Sequence, residues 1–188
     1  MPDACGAGDL RLATVADAAE LARLRAVMIE SWGGDASEPQ WRTSCVELLE
    51  RRLADDDDEF VAYVMDDPAG GLCSGGVAWL EQHLPGPNNL TGKRGHIASM
   101  STDGGHRRHG HGRAVFTALL DWLTGHGLSR IDLRATPHGE PLYREFGFRE
   151  PGGLALSWRL PGTDIMDASV DAASLDRDVE PAPSEAHA

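Results

Sequence analysis

The sequence predicts an α+β (mixed αβ) fold, a mostly antiparallel twisted sheet with helices on both faces. Three observations predict it. β-rich runs and segments of helical apolar spacing interleave along the chain rather than falling into blocks. Two strands, Phe60–Met65 and Gly71–Leu80, are joined by Asp66-Asp-Pro-Ala-Gly70, a tight turn by composition, and so read as a pair. Further on, a strand runs through a glycine-punctuated loop straight into an amphipathic helix. At 188 residues the chain is one domain by length. A chain of that size buries about 70% of its unfolded surface.

The elements follow in order. A strand at about 10–13 leads to a helix from about Asp17 to Ile29, with Leu21, Leu24 and Met28 on one face. Ser31 to Pro39 is a loop, and a second helix runs from about Gln40 to Leu53, aligning Val46, Leu49 and Leu53. The acidic run Asp55 to Glu59 reads as a solvated turn. Pro85 to Lys93 is a long polar loop before a strand at Gly95–Thr102. From Arg113 to His126, Val115, Ala118, Leu119 and Trp122, together with Phe116, Leu120 and Leu123, recur at helical spacing, and Gly125-His126-Gly127 ends the helix. Arg130–Thr136 alternates, with Ile131, Leu133 and Ala135 on one face, and is a strand. Pro137-His-Gly139 turns into a short helix, Glu140–Phe146, which Gly147 stops, and Phe148 begins another strand.

Composition narrows the function classes. The net charge of −13 makes nucleic acid an unsuitable partner, because phosphates would be repelled. It favours a cationic or amine-bearing one. No apolar run reaches 18 residues and no leader pattern opens the chain, so neither a membrane span nor a signal peptide is expected. Cys5, Cys45 and Cys73 are odd in number and widely spaced. They match neither a disulfide framework nor a zinc pattern, which favours a reducing cytoplasm and gives no metal site. Residues 1–8 read as a flexible N-terminus and 9–160 as the folded domain. Residues 161–188 carry seven acids against Arg177 and almost nothing large to bury, the composition of a disordered acidic tail.

The chemistry concentrates at Arg107-Arg108-His109-Gly110-His111-Gly112-Arg113-Ala114. A helix N-terminus leaves its first N–H groups without intrahelical acceptors and carries about half a positive charge, so it receives anions. The arginines, His109 and His111 add side-chain donors. The spacing is neither the Walker pattern nor the dinucleotide fingerprint. The order Arg107-x-x-Gly110-x-Gly112, helix, strand, then Leu142-Tyr143-Arg-Glu-Phe-Gly147-Phe148 resembles the acetyl-CoA-binding half of the GNAT acyltransferase superfamily. The likeness extends over about residues 9–160, since Leu10 to Arg25 is similar to that family's opening strand and helix.

The resemblance implies the GNAT-like acyl-CoA acyltransferase fold and direct transfer of an acetyl group from acetyl-CoA to a primary amine, most simply that of a small molecule. Protein N-terminal or lysine acetylation, or a catalytically silent acyl-CoA-binding regulator, are the alternatives. It implies that backbone amides from Arg108 to Ala114, with Arg107, Arg108 and Arg113, hold the diphosphate. The pantetheine arm would pair with Met100, Ser101 and Thr102 in the manner of an added strand. Tyr143 takes the place of the general acid that protonates the leaving thiolate. Thr136 stands seven residues before it, where many members carry an asparagine that contacts the cofactor. Glu81 or His96 is the expected base, and Trp32, His83 and Asn88 the expected acceptor-site lining. A homodimer is left open.

Overall fold

The computed structural model describes residues 9–152 together with Leu156 and Trp158. Strands β1 (Leu10–Leu12), β2 (Phe60–Asp66), β3 (Leu72–Gln82), β4 (Lys93–Thr102) and β5 (Ile131–Leu133) lie side by side in that order in one sheet. The first four pair antiparallel, and β5 runs parallel to β4. The helices are α1 (Ala18–Ser31), α2 (Pro39–Ala54), α3 (His111–Gly125) and α4 (Glu140–Glu145). The fold is thus the expected mixed αβ arrangement. A compact unit closes at Gly152, and the expected flexible N-terminus and acidic tail lie outside the described residues.

Period-2 alternation in the strands divides the helices between the two faces. On one face Leu21 and Leu24 of α1 and Leu49 of α2 pack with Ala62, Val64, Leu72 and Val77. On the other, Val115, Phe116, Leu119 and Leu123 of α3 are fully buried against Val61, Ala78 and Ile97, together with Tyr143 of α4. Each large side chain so buried stabilises the fold by about 1.5–3 kcal/mol. Local signals set the helix starts. The Glu38 carboxylate accepts from the amides of Gln40 and Trp41, and Pro39 occupies the first helical position of α2. Ahead of α1, Asp17 accepts from the Thr14 amide at 2.7 Å and from Arg11 of β1 at 2.8 Å. The Arg11 guanidinium holds the Asp17 carboxyl down at about 2, with Thr14 assisting and burial opposing.

Two features of β4 position the site. Ser74 pairs with Thr102 and Gly75 with Ser101, but Val77 pairs with Ala98, so Ser99 and Met100 together face Gly76. This is a β-bulge. Ser99 takes a left-handed φ of +53°, and Arg25 of α1 donates to its hydroxyl at 2.6 Å. Met100 is driven across the bare backbone of Gly76, where a Cβ would lie 2.3 Å from its sulfur. Beyond the bulge, β4 and β5 part company. They pair only from Gly95 with Ile131 to Ile97 with Leu133. Ala98 to Thr102 therefore have no strand on the β5 side among the described residues.

Two expected strands are corrected. β5 ends at Leu133 instead of Thr136, because the bulge carries β4 away and leaves Arg134 onward without a pairing edge. No strand begins at Phe148 within 148–152. Its amide instead donates to the Tyr143 carbonyl at 3.1 Å, closing the end of α4, and its ring packs against Phe116.

Candidate active site

The loop between β4 and α3 is built to present amides. Asp103 anchors its start: its carboxylate takes two hydrogen bonds, at 3.0 and 2.9 Å, from Arg23 of α1, and its amide donates to the Cys73 carbonyl. The same guanidinium reaches Glu20 and the Leu72 carbonyl. Arg107 then folds back to donate to the Thr102 carbonyl at 3.2 Å. Arg108 and Gly110 take left-handed φ values of +65° and +88°, which turn successive N–H groups toward one side. The first helical bond of α3 runs from the Ala114 amide to Gly110. The amides of Arg108 to Arg113 donate to no acceptor among the described residues. With the dipole of α3 behind them, these donors are of the kind that suits an anion.

The side chains of the loop divide their roles. Arg113 pairs with Glu145 of α4 and lies over the Phe146 ring, which ties α3 to α4. His109 and His111 have ring centroids 6.0 Å apart. The His111 imidazole faces a third group, His106, with centroids 6.1 Å apart. Spacing in the sequence gave no hint that His106, His111 and Cys73 converge.

Tyr143 lies on α4, the helix that follows β5. Its ring is buried beside Phe116, at a centroid distance of 5.0 Å, and burial pushes its hydroxyl up to about 12. No acceptor among the described residues takes that hydroxyl. Thr136 lies at the turn before α4, where its Oγ1 accepts from the Gly139 amide at 2.8 Å and its carbonyl from Glu140 at 2.8 Å. The hydroxyl proton of Thr136 stays free to donate. Gly139 lets the two residues approach, since a Cβ there would lie 3.3 Å from both the Thr136 and Tyr143 hydroxyl oxygens.

The expected base candidates sit together on the α1/α2 face. Glu81 accepts from His83 at 3.0 Å and from the Trp79 indole at 3.0 Å, and His96 lies 3.5 Å away, stacked on Trp79. Burial, the largest single influence, pushes the Glu81 carboxyl up. Hydrogen bonds from His83 and Trp79 and the nearby imidazoles outweigh it, so the group sits below its ordinary value. Trp32 caps the end of α1, and Asn88 is exposed on the β3–β4 loop. No hydrogen bond, ion pair or ring contact among the described residues joins either to the Glu81 cluster. The Arg25–Ser99 contact, on the bulge itself, escaped sequence reasoning.

A sheet split beyond Ile97, a helix start with unengaged amides and an unengaged tyrosine are features of the acyl-CoA acyltransferase class of fold. Comparison with known proteins agrees. The sequence pattern of the acetyltransferase (GNAT) family matches residues 23–148. The chain belongs to that family. Among solved structures it is similar to a GCN5-related N-acetyltransferase from Ralstonia eutropha, at 26% identity over 81% of this chain and 99% of that one, with a TM-score of 0.71. A predicted acetyltransferase with acetyl-CoA from Clostridium acetobutylicum matches at 20% identity over 79% and 95% of the two chains, TM-score 0.70. Glucosamine-6-phosphate N-acetyltransferase from Arabidopsis thaliana matches at 17% identity over 80% and 97%, TM-score 0.60. No curated protein sequence matches the chain. No helix among the described residues is long and apolar enough to cross a membrane.

Proposed function

We propose that this chain is a cytoplasmic acetyl-CoA-dependent N-acetyltransferase acting on the primary amine of a small molecule. The observation that carries the reading is the run of unengaged amides from Arg108 to Arg113 beside the unpaired length of β4. A diphosphate on those amides directs the pantetheine arm along Met100, Ser101 and Thr102, with Arg107 and Arg108 at the mouth and Thr136 and Tyr143 opposite. The Clostridium acetobutylicum relative, seen with acetyl-CoA, supports the donor. The anionic Glu81 beside two imidazoles supports an amine acceptor, which arrives as an ammonium ion.

The chemistry follows from these groups. Glu81 or His96 accepts the ammonium proton, directly or through water, and frees the nitrogen lone pair. The amine attacks the thioester carbonyl, and a backbone N–H at the bulge stabilises the oxyanion, a contact typically worth about 3 kcal/mol. The attacking nitrogen, cationic after addition, releases its extra proton to solvent, and collapse expels CoA thiolate and leaves the neutral amide. Tyr143, held protonated by its burial, donates to that thiolate. The thiolate of a thiol with pKa about 8.5 is a weaker base than the phenolate, so the phenol acts first as a hydrogen-bond donor.

Thiol release from acetyl-CoA with a panel of amines, peptides included, tests the proposal. Turnover with small amines is expected, and Tyr143→Phe lowers it by roughly 10²-fold or more while acetyl-CoA binding persists. Turnover confined to peptides would transfer the reading to protein acetylation. Tight acetyl-CoA binding with no turnover on any amine would sink the enzyme assignment.

A further inference from the structure

We propose that Cys73, His106 and His111 form a site for one divalent transition metal of the zinc type. The three come from the second residue of β3, the turn after β4 and the first residue of α3. Their ligand atoms all lie within 4.8 Å of one another. Ligands around a tetrahedral zinc, at about 2.0 Å for nitrogen and about 2.3 Å for sulfur, stand about 3.3–3.6 Å apart. Rotation of the two half-buried imidazoles by about an ångström closes the difference.

One further observation singles the cluster out from a chance meeting of side chains. His106 Nε2 lies 3.1 Å from Asp67 Oδ2, so the carboxylate fixes one nitrogen and leaves Nδ1 to the metal. A carboxylate behind a ligating histidine is the usual outer partner of such sites. The Asp67 carboxylate adds negative charge that favours a dication there, and the Cys73 thiol proton leaves to solvent as the metal binds. A thiolate with two imidazoles suits zinc or cobalt and not magnesium or calcium. Three protein ligands leave a fourth position to water.

The site stands on its own geometry and does not depend on the acetyl-transfer reading. Its place has a consequence for the loop, because a metal there clamps the first residue of α3 to β3. That residue, His111, lies within the run of unengaged amides from Arg108 to Arg113.

Cobalt titration of the full chain, free of any histidine tag and stripped with chelator, tests the proposal. One equivalent is expected to give a thiolate-to-cobalt charge-transfer band with the d–d intensity of a tetrahedral site, and zinc is expected to displace it. The Cys5→Ser/Cys45→Ser double variant keeps the band. Cys73→Ser abolishes it, and Asp67→Asn weakens cobalt binding by about 10–100-fold. Because Cys73 is buried, His106→Gln and His111→Gln, checked for native circular dichroism, decide independently. Absence of a thiolate band would overturn the site. So would a band that survives either histidine change, that follows Cys5 or Cys45, or that never saturates at one equivalent, the mark of an adventitious ion.

Discussion

Asp17 accepts hydrogen bonds from Arg11 and Thr14, and its folded pKa of about 2 lies below the ordinary 3.8. A depressed carboxyl contributes stability that is complete above its unfolded pKa and is lost as pH falls through its folded one. The shift corresponds to about 2 kcal/mol at neutral pH. Asp17→Asn is therefore expected to lower the urea midpoint at pH 7. The gap from the unmodified chain should close as pH falls from about 4 toward about 2. A gap that stayed constant through that window would place the effect in packing instead. Arg23 makes a second residue-scale case, since one guanidinium joins α1 to Asp103 at the root of the anion loop. Arg23→Ala leaves a half-buried carboxylate unpaired, and acetyl-CoA affinity measured by calorimetry should fall with it. An unchanged affinity would show that the loop holds its shape without the anchor.

At the scale of elements, α3 and its loop were the most legible part of the sequence. Val115, Phe116, Leu119 and Leu123 repeat at helical spacing, and all four are fully buried. The glycine-punctuated loop was legible as well, although the left-handed φ of Gly110 was not foreseen. Gly110→Ala meets no neighbour within 4 Å, so its cost is purely conformational, about 1–2 kcal/mol. If the chain relaxes by turning the amides, acetyl-CoA binding should weaken by about tenfold with little change in the α3 helix itself. The bulge in β4 was not legible. Its left-handed residue is Ser99, not a glycine, and the partner that steadies it, Arg25, lies far off in the chain. The early end of β5 was hidden for the same reason, since alternation in Ile131, Leu133 and Ala135 says nothing about where the neighbouring strand turns away. Cys73, His106 and His111 converge only through the pairing of β3 with β4, which no linear spacing displays.

For the molecule as a whole, the sheet separates two cores, and only one of them underlies Tyr143. Phe116 touches Tyr143, Phe146 and Phe148, while Leu24 packs on the opposite face with Ala62 and Val64. Phe116→Ala and Leu24→Ala are each expected to cost about 3–5 kcal/mol and 2–5 kcal/mol. At temperatures where both remain folded, Phe116→Ala should reduce turnover more, because it alone removes support from the tyrosine ring. Equal losses would mean that stability, not placement, governs the rate. The short contact between β4 and β5 carries a further consequence, for folding rather than chemistry. An acyl-CoA lying along Ala98 to Thr102 would do the work of a missing strand, so the cosubstrate becomes part of the architecture it reacts in. Mass action then adds about 2.7 kcal/mol to stability at a hundredfold excess over Kd. The amide protons of Met100 to Thr102 should exchange more slowly with solvent when it is bound, making the resting protein a fold one strand short of complete.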